Sequence, residues 1–315
     1  ERPIPHTQIP AYYDGFLGRR NILGTEMQLQ EEAFDKALAE NRLQPDRAAM
    51  TTKIAFAKSL QAELDAAPAD QRAERPVLPT QKDCPKCPEL IVVPGKPFRI
   101  GAGEREDAPD HERPNREIKL GHVYAIGKFE VTVGEWEACV RTTACPSVRT
   151  GYKLGEDHDV QRRPIVNVSW NQAQSYVKWL TKETGFAYRL PSEAEWEFAA
   201  RAGSEARYFF GEEIDRLCMY ANGADRGFKS WLFPGNETCA DKHAAVAAPV
   251  GSYKPNDYGL YDVHGNVWEM VQDCYSSRLA DLPEDGHARD GDKDCTVRTA
   301  RGGSWMSGPD ALRSS

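Results

Sequence analysis

The segment GLYDVHGNVWEM at residues 259–270 places the strongest constraint on how this chain folds. It sets two glycines and an asparagine among large apolar and aromatic residues. Glycine and asparagine favour tight turns, whereas the apolar residues favour burial. The segment therefore predicts a tightly turned, buried loop and neither a helix nor a strand.

The same segment carries hard oxygen donors at close spacing: the carboxylates of Asp262 and Glu269, the amide of Asn266 and the carbonyls between them. Calcium takes six to eight such oxygens from carboxylates and carbonyls on a bent loop. A glycine turn with a solvated Asp and Glu fits the spacing equally well. The segment is not an EF-hand, because the D-x-D-x-D-G pattern is absent from it.

Composition narrows the classes of function. The chain has 315 residues, a formal net charge of -8 and 40% hydrophobic residues, which suits one or two globular domains with a core. The acidic balance argues against nucleic acid as a partner, because phosphate binding needs a basic face. No apolar run approaches the roughly 18 residues of a membrane span. The chain begins with Glu1 and not with Met, so we expect that a signal peptide has been removed or was never included.

Eight cysteines fall into near pairs: Cys84/Cys87, Cys139/Cys145, Cys218/Cys239 and Cys274/Cys295. Local pairs of this kind predict disulfides in an oxidising compartment, and hence a periplasmic or secreted protein. Eight reduced, buried thiols in a cytosolic protein are the alternative.

The pair in Cys84-Pro-Lys-Cys87 has further interpretations. Half of a zinc site is one, but the chain has no second C-x-x-C to complete it. A redox pair is another, although the segment is rich in proline and is not predicted to begin a helix, where a thiolate would be stabilised. A structural disulfide is favoured.

We predict an α+β fold with three regions. Apolar residues near helical spacing predict helices over residues 25–43 and 46–66, which form a hairpin in an N-terminal extension, residues 1–66. Residues 67–87 are rich in Pro, Ala and charge and are predicted to be a linker. The main domain is predicted over residues 88–315, with strands at 89–94, 98–100 and 124–131 and an exposed loop at 102–117.

Capping boxes predict three helices in the main domain. In each box a Ser or Thr residue is followed three residues later by Glu or Gln. The pairs are Thr132 with Glu135, Ser169 with Gln172, and Ser192 with Glu195. Gly185 and Gly203 stand where left-handed C-terminal caps are expected for the second and third helices.

Residues 208–258 are irregular, with frequent Gly, Asn, Asp and Pro. A stretch of this length inside a compact domain is normally functional or held by ions or disulfides. A disulfide between Cys218 and Cys239 would constrain this segment. Asn222 and Asp241 each have a side-chain oxygen that could bind a cation. Both residues also fit ordinary turns, in which they cap their own backbone.

The segment at 259–270 resembles the G-L-Y-D-x-x-G-N-V-W-E-W signature of the formylglycine-generating enzyme, or sulfatase-modifying factor, family. Further matches follow in the family's order: Ile91-Val-Val-Pro-Gly, Phe98-Arg-Ile-Gly101, Lys128-Phe-Glu-Val-Thr132, Pro164-Ile-Val-Asn-Val-Ser-Trp170, Tyr188-Arg-Leu-Pro-Ser-Glu-Ala-Glu-Trp-Glu-Phe-Ala-Ala-Arg201, Ala248-Pro-Val-Gly-Ser252 and Arg301-Gly-Gly-Ser-Trp305. The resemblance covers residues 88–315. Family members continue further beyond the last motif, so we expect the C-terminus to be incomplete.

The resemblance implies a C-type-lectin-like fold, low in regular secondary structure, and two structural calcium sites. Asn222, Gly223, Asp241 and His243 match the first site, with Gly223 and His243 contributing carbonyls. Asp262, Gly265, Val267 and Glu269 match the second, with Gly265 and Val267 contributing carbonyls.

The family's best-known reaction oxidises a cysteine of a sulfatase peptide to formylglycine, using oxygen and copper(I) held by two cysteine thiolates. Those two positions correspond to Ser307 and Leu312, and no cysteine lies beyond Cys295. A hydroxyl and an isobutyl group do not bind copper(I), which prefers soft ligands. The sequence therefore argues against a copper cofactor and against authentic formylglycine generation.

Two related chemistries bear on function. An iron site of the ergothioneine-synthase type needs His-x-x-x-His spacing, which the seven histidines do not provide. Pyoverdine-maturation relatives lack the copper cysteines yet are linked to oxidation of a siderophore precursor in the periplasm, and this alternative stays open.

By position in the family's motifs, the groove is lined by Glu130, Trp268, Ser304, Trp305 and Ser307. Structural roles are the alternative: the tryptophans as core, Ser304 closing a turn, and Glu130 paired with Arg189 or Arg301. Two hypotheses follow. The chain is an exported maturation factor or oxygen-dependent oxidoreductase acting on a peptide or peptide-like substrate, or it is a non-catalytic, calcium-stabilised module that binds a protein, peptide or peptide-like molecule.

Overall fold

The computed structural model describes residues 55, 58 and 59 and residues 78–315, apart from 103–108, 110–111, 153–158, 228–234, 242, 244–245 and 290–294. Residues 55, 58 and 59 are helical and lie within the second predicted N-terminal helix. The rest of the predicted hairpin lies outside the described residues.

Strands in the described residues form three small antiparallel sheets, with the orders β1-β2-β5, β3-β4 and β6-β7. They are β1 (Thr80–Lys82), β2 (Glu89–Pro94), β3 (Pro97–Ile100), β4 (Arg116–Lys119), β5 (Val123–Gly127), β6 (Glu269–Cys274) and β7 (Arg298–Arg301). The first strand lies in the segment predicted to be a linker, and its Lys82 pairs with Glu89 of β2.

Two predicted boundaries are wrong. The strand predicted to reach residue 131 ends at Gly127, because the chain then leaves β2 and the Val131 carbonyl accepts a hydrogen bond from Ile165 N at 2.8 Å. The loop predicted over residues 102–117 already contains the start of β4. It also buries Glu112, which pairs with Arg313 at 3.1 Å. Both differences arise from partners distant in sequence.

The described part of residues 78–315 contains three α-helices, each beginning at one of the predicted capping boxes. They are α1 (Val133–Arg141), α2 (Trp170–Thr184) and α3 (Glu193–Arg201). In all three boxes both reciprocal hydrogen bonds are present. Gly185 caps α2 in the left-handed conformation, as predicted. The cap of α3 is Ala202, with φ 45°, so the prediction of Gly203 was off by one residue.

Helix α3 lies at the centre of the main core, and each of its residues is buried. Trp196 and Phe198 pack in one cluster with Ile91 of β2, Ile118 of β4 and Val271 of β6. Burying a large aromatic side chain stabilises a fold by about 1.5–3 kcal/mol. This helix therefore packs against residues of all three sheets.

The four predicted disulfides are present: Cys84–Cys87, Cys139–Cys145, Cys218–Cys239 and Cys274–Cys295. Two of them belong to a second core cluster, in which Trp136 of α1 stacks on Tyr176 of α2. Within the described part of the chain, none of the helices has the length and apolar character needed to cross a bilayer.

Candidate functional site

Residues 259–268 form a tightly turned loop that is largely buried as far as Asn266, as the composition predicts. The predicted loop over residues 259–270 is too long at its end, because Glu269 and Met270 already belong to β6 and pair with Arg301 and Ala300. His264 and Asn266 are fully inaccessible to solvent. Gly265 has φ 83°, and a β-carbon added to it would lie 2.0 Å from the Asn222 carbonyl oxygen. Only glycine fits here, since both the backbone conformation and the close approach exclude a side chain.

Asn222 and Asn266 join the irregular segment to this loop. The Asn266 N–H donates to the Asn222 carbonyl at 2.7 Å. The Asn222 Nδ2 donates in turn to Asn266 Oδ1 at 3.0 Å, and Ala248 N donates to the same oxygen at 2.7 Å. The structure thus places Asn222, predicted for the first calcium site, beside the loop of the second.

Glu130 lies directly behind the loop. Its Oε2 accepts a hydrogen bond from Asn266 Nδ2 at 2.7 Å, and its Oε1 accepts one from Val267 N at 3.0 Å. The side chain is 7% exposed, so it supports the loop from inside.

The prediction that Glu130 pairs with Arg189 or Arg301 is wrong. Arg189 forms two hydrogen bonds of 2.6 Å to Glu195. Arg301 pairs with Glu197 and, at 3.6 Å, with Glu193. Both arginines thus form ion pairs with glutamates of the buried helix α3, because a buried carboxylate needs a partner.

Three carboxyl groups influence one another through their charges: Asp262 and Glu269 within the segment 259–270, and Glu130 behind it. Burial raises the pKa of Glu130 well above its usual range, and the charges of Asp262 and Glu269 raise it further. Burial raises the pKa of Asp262 to about 6. Burial of the Glu269 carboxyl group, together with the charge of Asp262, raises its pKa to about 7 despite a hydrogen bond from Trp196. Buried like charges that interact in this way favour either protons or a cation.

One oxygen of this cluster has no partner. Asp262 Oδ2 accepts a hydrogen bond from Gly251 N at 2.7 Å, whereas Asp262 Oδ1 is buried without a hydrogen bond in the described part of the chain. Buried acceptors without partners are rare and ask for an explanation. A calcium ion at Asp262 and Glu269 would supply one, so the donor set of the second predicted site fits the ion.

The first predicted set is only partly brought together. Asp241 Oδ1 accepts from His243 N at 2.7 Å and Oδ2 from the Tyr253 hydroxyl at 3.0 Å. The turn interpretation of Asp241 is therefore confirmed. Asn222 points instead to Asn266, although its Oδ1 is buried without a partner among the described residues. Gly223 packs against Leu312. A β-carbon added to Gly223 would lie 2.4 Å from Leu312 Cδ1.

Across the described residues, no group of three or more His, Cys, Asp or Glu side chains is arranged to hold a metal ion. Calcium also accepts carbonyl oxygens, which both predicted sets contain, and the first set adds the side-chain amide of Asn222.

The positions expected to hold copper thiolates have other roles. Ser307 Oγ accepts a hydrogen bond from Ser304 N at 3.0 Å and closes a turn. Leu312 is fully buried in a cluster with Tyr208 and Leu217. All eight cysteines are described, and none is free. These residues do not fit copper(I).

The remaining groove candidates lie where this turn meets the loop. Trp305 N donates to the Asn266 carbonyl at 2.9 Å, which brings Ser304, Trp305 and Ser307 beside the chain leading to Trp268. Trp268 is 40% exposed, so the expectation that it lies only in the core is wrong. A large exposed aromatic side chain is a common anchor in binding sites.

A neighbouring pair was missed by sequence reasoning. Arg298 of β7 stacks over the ring of Trp170, with 3.9 Å between the guanidinium carbon and the ring centroid. Trp170 is the first residue of α2, and its Nε1 donates a hydrogen bond to the Val271 carbonyl of β6. Helix and strand are far apart in sequence, and no local pattern indicates the contact.

Comparison with known proteins assigns the family. A model of the sulfatase-modifying factor enzyme 1-like domain matches residues 74–315. The chain belongs to this family. The match begins inside the segment predicted to be a linker, in agreement with the position of β1 in the sheet.

Relatives carry different names. The chain is 30% identical over 262 residues to a formylglycine-generating enzyme of Thermomonospora curvata, covering 69% of this chain and 82% of that protein. It is 31% identical over 254 residues to the serine/threonine-protein kinase pkn1 of Chlamydia caviae, covering 74% of this chain but 35% of the kinase. Among solved structures it resembles PvdO from Pseudomonas aeruginosa, with a TM-score of 0.62 and 31% identity over 76% of this chain and 90% of that one.

Proposed function

We propose that the domain binds a peptide or peptide-like ligand and does not carry out copper-dependent formylglycine generation. One observation carries the proposal. Ser307 and Leu312 stand where copper thiolates are needed, while Trp268 stays exposed beside the turn that contains Ser304. These features support a face around Trp268 that binds a ligand and lacks the thiolates of the reaction.

A structural calcium ion is part of the proposal. Asp262, Glu269 and the carbonyls of Gly265 and Val267 would hold it, and the unpartnered Asp262 Oδ1 supports this assignment. The ion would offset the repulsion with Glu130 and fix the loop that leads to Trp268. The first set, Asn222, Gly223, Asp241 and His243, has weaker support, because both Asp241 oxygens already accept hydrogen bonds.

We further propose a periplasmic or secreted location and the C-type-lectin-like variant of a mixed α and β fold. Four disulfides fit an oxidising compartment, since cytosolic thiols are normally kept reduced. The three small sheets and long irregular segments agree with the low regular structure that this fold implies.

A second candidate is an oxygen-dependent oxidoreductase that matures a peptide or peptide-like substrate without copper thiolates. The identity to the Thermomonospora curvata enzyme, which extends over 82% of that protein, favours it. Oxygen consumption on addition of the bound peptide would support this candidate over the binding module.

The binding proposal is tested by selecting ligands from a random peptide library on the immobilised domain in calcium. Binding of selected peptides is then measured by calorimetry for the wild type, Trp268→Ala and Tyr275→Ala. Tyr275 is the matched control because it is also a large exposed aromatic, 56% accessible, and lies outside the proposed groove. Truncating an anchor of this kind typically costs about 2 kcal/mol or more. Failure to select any peptide, or equal binding by Trp268→Ala, would overturn the proposal.

A further inference from the structure

We propose that the Cys84–Cys87 disulfide is a thiol–disulfide exchange site for a protein or peptide that carries two thiols and acidic residues. The site lies on the β1–β2 hairpin and shares no residue with the loop and turn around Trp268. The inference does not depend on the proposed peptide-binding function.

The disulfide occupies the tip of a hairpin. Cys84 to Cys87 form a tight turn between β1 and β2, closed by a hydrogen bond of 3.1 Å from Cys87 N to the Cys84 carbonyl. Pro85 and Lys86 at the centre of the turn are exposed. Such a tip is open to approach by another chain, as exposed turns generally are.

The two sulfurs differ in accessibility. Cys84 is partly exposed, whereas Cys87 is fully buried in the cluster that contains Trp136 and Trp179. Cys84 is therefore the more accessible residue of the pair, although it packs against the same cluster and Cys87 forms part of the wall of the adjoining cleft. An exposed attacked sulfur with a buried partner defines the direction of exchange, because the rate depends on access and on which sulfur leaves.

Opening this bond leaves the hairpin held by other contacts. The flanking strands pair directly, with Lys82 opposite Glu89 and Gln81 opposite Leu90. The sequence separation of the two cysteines is 3, compared with 21 for Cys218–Cys239, and short loops gain the least from closure. The disulfide is therefore the one among the four whose reduction disturbs the fold least.

Positive charge surrounds the turn. Lys82, Lys86 and Arg141 are exposed and line a cleft of about 270 Å³ whose wall includes Pro85 and Cys87. Lysine and arginine near a sulfur stabilise the thiolate form of cysteine. The same charges attract acidic side chains that flank the cysteines of a partner.

Two nearby carboxylates are already engaged. Asp83 accepts hydrogen bonds from the Tyr188 hydroxyl at 2.5 Å and from Gln81. Glu135, which also lines the cleft, accepts from Thr132 N at 2.8 Å in the capping box of α1. A third carboxylate, that of Glu137, pairs with Arg141 at 3.8 Å, so the attraction of an acidic partner rests on the exposed Lys82 and Lys86.

The exchange is a two-electron transfer. A partner thiolate attacks Cys84 Sγ, a mixed disulfide forms, and the Cys84–Cys87 bond breaks with its electron pair on Cys87 Sγ. The second partner thiolate then attacks the partner's own sulfur in the mixed disulfide, and Cys84 leaves as a thiolate. The partner ends with one disulfide, while Cys84 and Cys87 take up the two protons that its thiols released.

The first experiment uses the unaltered protein. The oxidised domain is incubated with reduced glutathione, quenched by alkylation at intervals, and each of the four disulfides is quantified by mass spectrometry. We expect Cys84–Cys87 to open about tenfold faster than each of the others, with the glutathione adduct on Cys84. Opening no faster than Cys274–Cys295, or an adduct on Cys87, would overturn the proposal.

A matched pair of variants tests the direction of attack. Cys87→Ser leaves the accessible Cys84 thiol and is expected to accumulate a mixed disulfide with a peptide that contains an activated disulfide and acidic residues. Cys84→Ser lacks the same bond but keeps only the buried thiol, and is expected to accumulate none. Equal trapping by both variants, or faster trapping by Cys84→Ser, would contradict the assignment of Cys84 as the attacked sulfur.

Discussion

Asp262 is the residue on which the calcium proposal depends most. One of its carboxylate oxygens has no partner in the described part of the chain, and the neighbouring carboxyl groups of Glu130 and Glu269 repel it. A cation relieves both problems at once. The amide of asparagine would keep the shape of the side chain but remove its charge.

We predict that calcium raises the thermal unfolding temperature of the wild type and that Asp262→Asn loses most of this gain. A ligand at 100 times its dissociation constant stabilises by about 2.7 kcal/mol. Differential scanning calorimetry in calcium and in chelator measures the effect. Asp285→Asn is the control, because Asp285 is exposed and is not part of the loop or of either predicted calcium set. An equal calcium response in Asp262→Asn and the wild type would contradict the assignment.

Glu193 gives a pH-dependent prediction at the same scale. Burial raises the pKa of Glu193 to about 7. The charge of Arg301 lowers this pKa, whereas the charges of Asp273 and Glu197 raise it further. The folded state therefore holds a proton that the unfolded state releases near pH 4.5, so this residue's contribution to stability falls as pH rises from about 4.5 to 7.

Glu193→Gln removes that titration. As the pH rises from about 4.5 to about 8, we expect the free energy of unfolding of Glu193→Gln to increase by up to about 3 kcal/mol relative to that of the wild type. The reason is that one pKa unit corresponds to about 1.4 kcal/mol. Urea unfolding at the two pH values measures the difference. Glu213→Gln, at a residue exposed on the surface, is expected to track the wild type. A relative stability that stays constant with pH would show that Glu193 does not titrate in this range.

Residue roles were predictable where a local pattern specified them. Gly265 and Asn266 were identified as parts of a tight turn, because turn chemistry is local. The partners of Glu130 were not predictable, since Asn266 lies 136 residues away and α3 holds the competing carboxylates. Long-range pairing depends on the packing of whole elements.

At the scale of elements, capping boxes with the same chemistry lie in different surroundings. Ser192 is buried, and besides accepting from Glu195 N at 3.0 Å it donates to the Gly286 carbonyl at 2.6 Å. Ser169 is exposed and accepts from Gln172 N at 3.3 Å. The first serine therefore links α3 to another part of the chain, whereas the second serves its own helix.

We predict that Ser192→Ala costs about 2–3 kcal/mol, because it removes the cap and leaves a buried carbonyl without a donor. Ser169→Ala is expected to cost about 1 kcal/mol, the value of an exposed cap. Chemical denaturation of both variants gives the comparison. Equal losses would mean that the bond to Gly286 contributes nothing to stability.

The helices of the main domain were predicted better than its sheets. Capping boxes mark helix starts within a few residues, and all three starts are confirmed. Strand β2 was also placed correctly at Glu89–Pro94. The pairing of β6 with β7 was not predictable, because it joins segments separated by an irregular loop and depends on burial against α3.

At the scale of the whole molecule, the family's fold is retained while the thiolates of its best-known reaction are absent. The ordered motifs hold the core around α3 and the buried loop, so they identify the family without specifying the reaction. The proposed function at this scale depends on whether the exposed face around Trp268 binds a ligand and on whether the bound group is changed.

The most direct test follows a bound peptide through exposure to copper and oxygen. A selected peptide that contains cysteine is incubated with the domain, copper(I) and air, and its mass is followed, with the Thermomonospora curvata enzyme and a substrate peptide as the positive control. We predict that the peptide is retained with its cysteine unchanged, because Ser307 and Leu312 offer copper(I) no thiolate. Copper-dependent conversion of the cysteine to formylglycine would contradict the account.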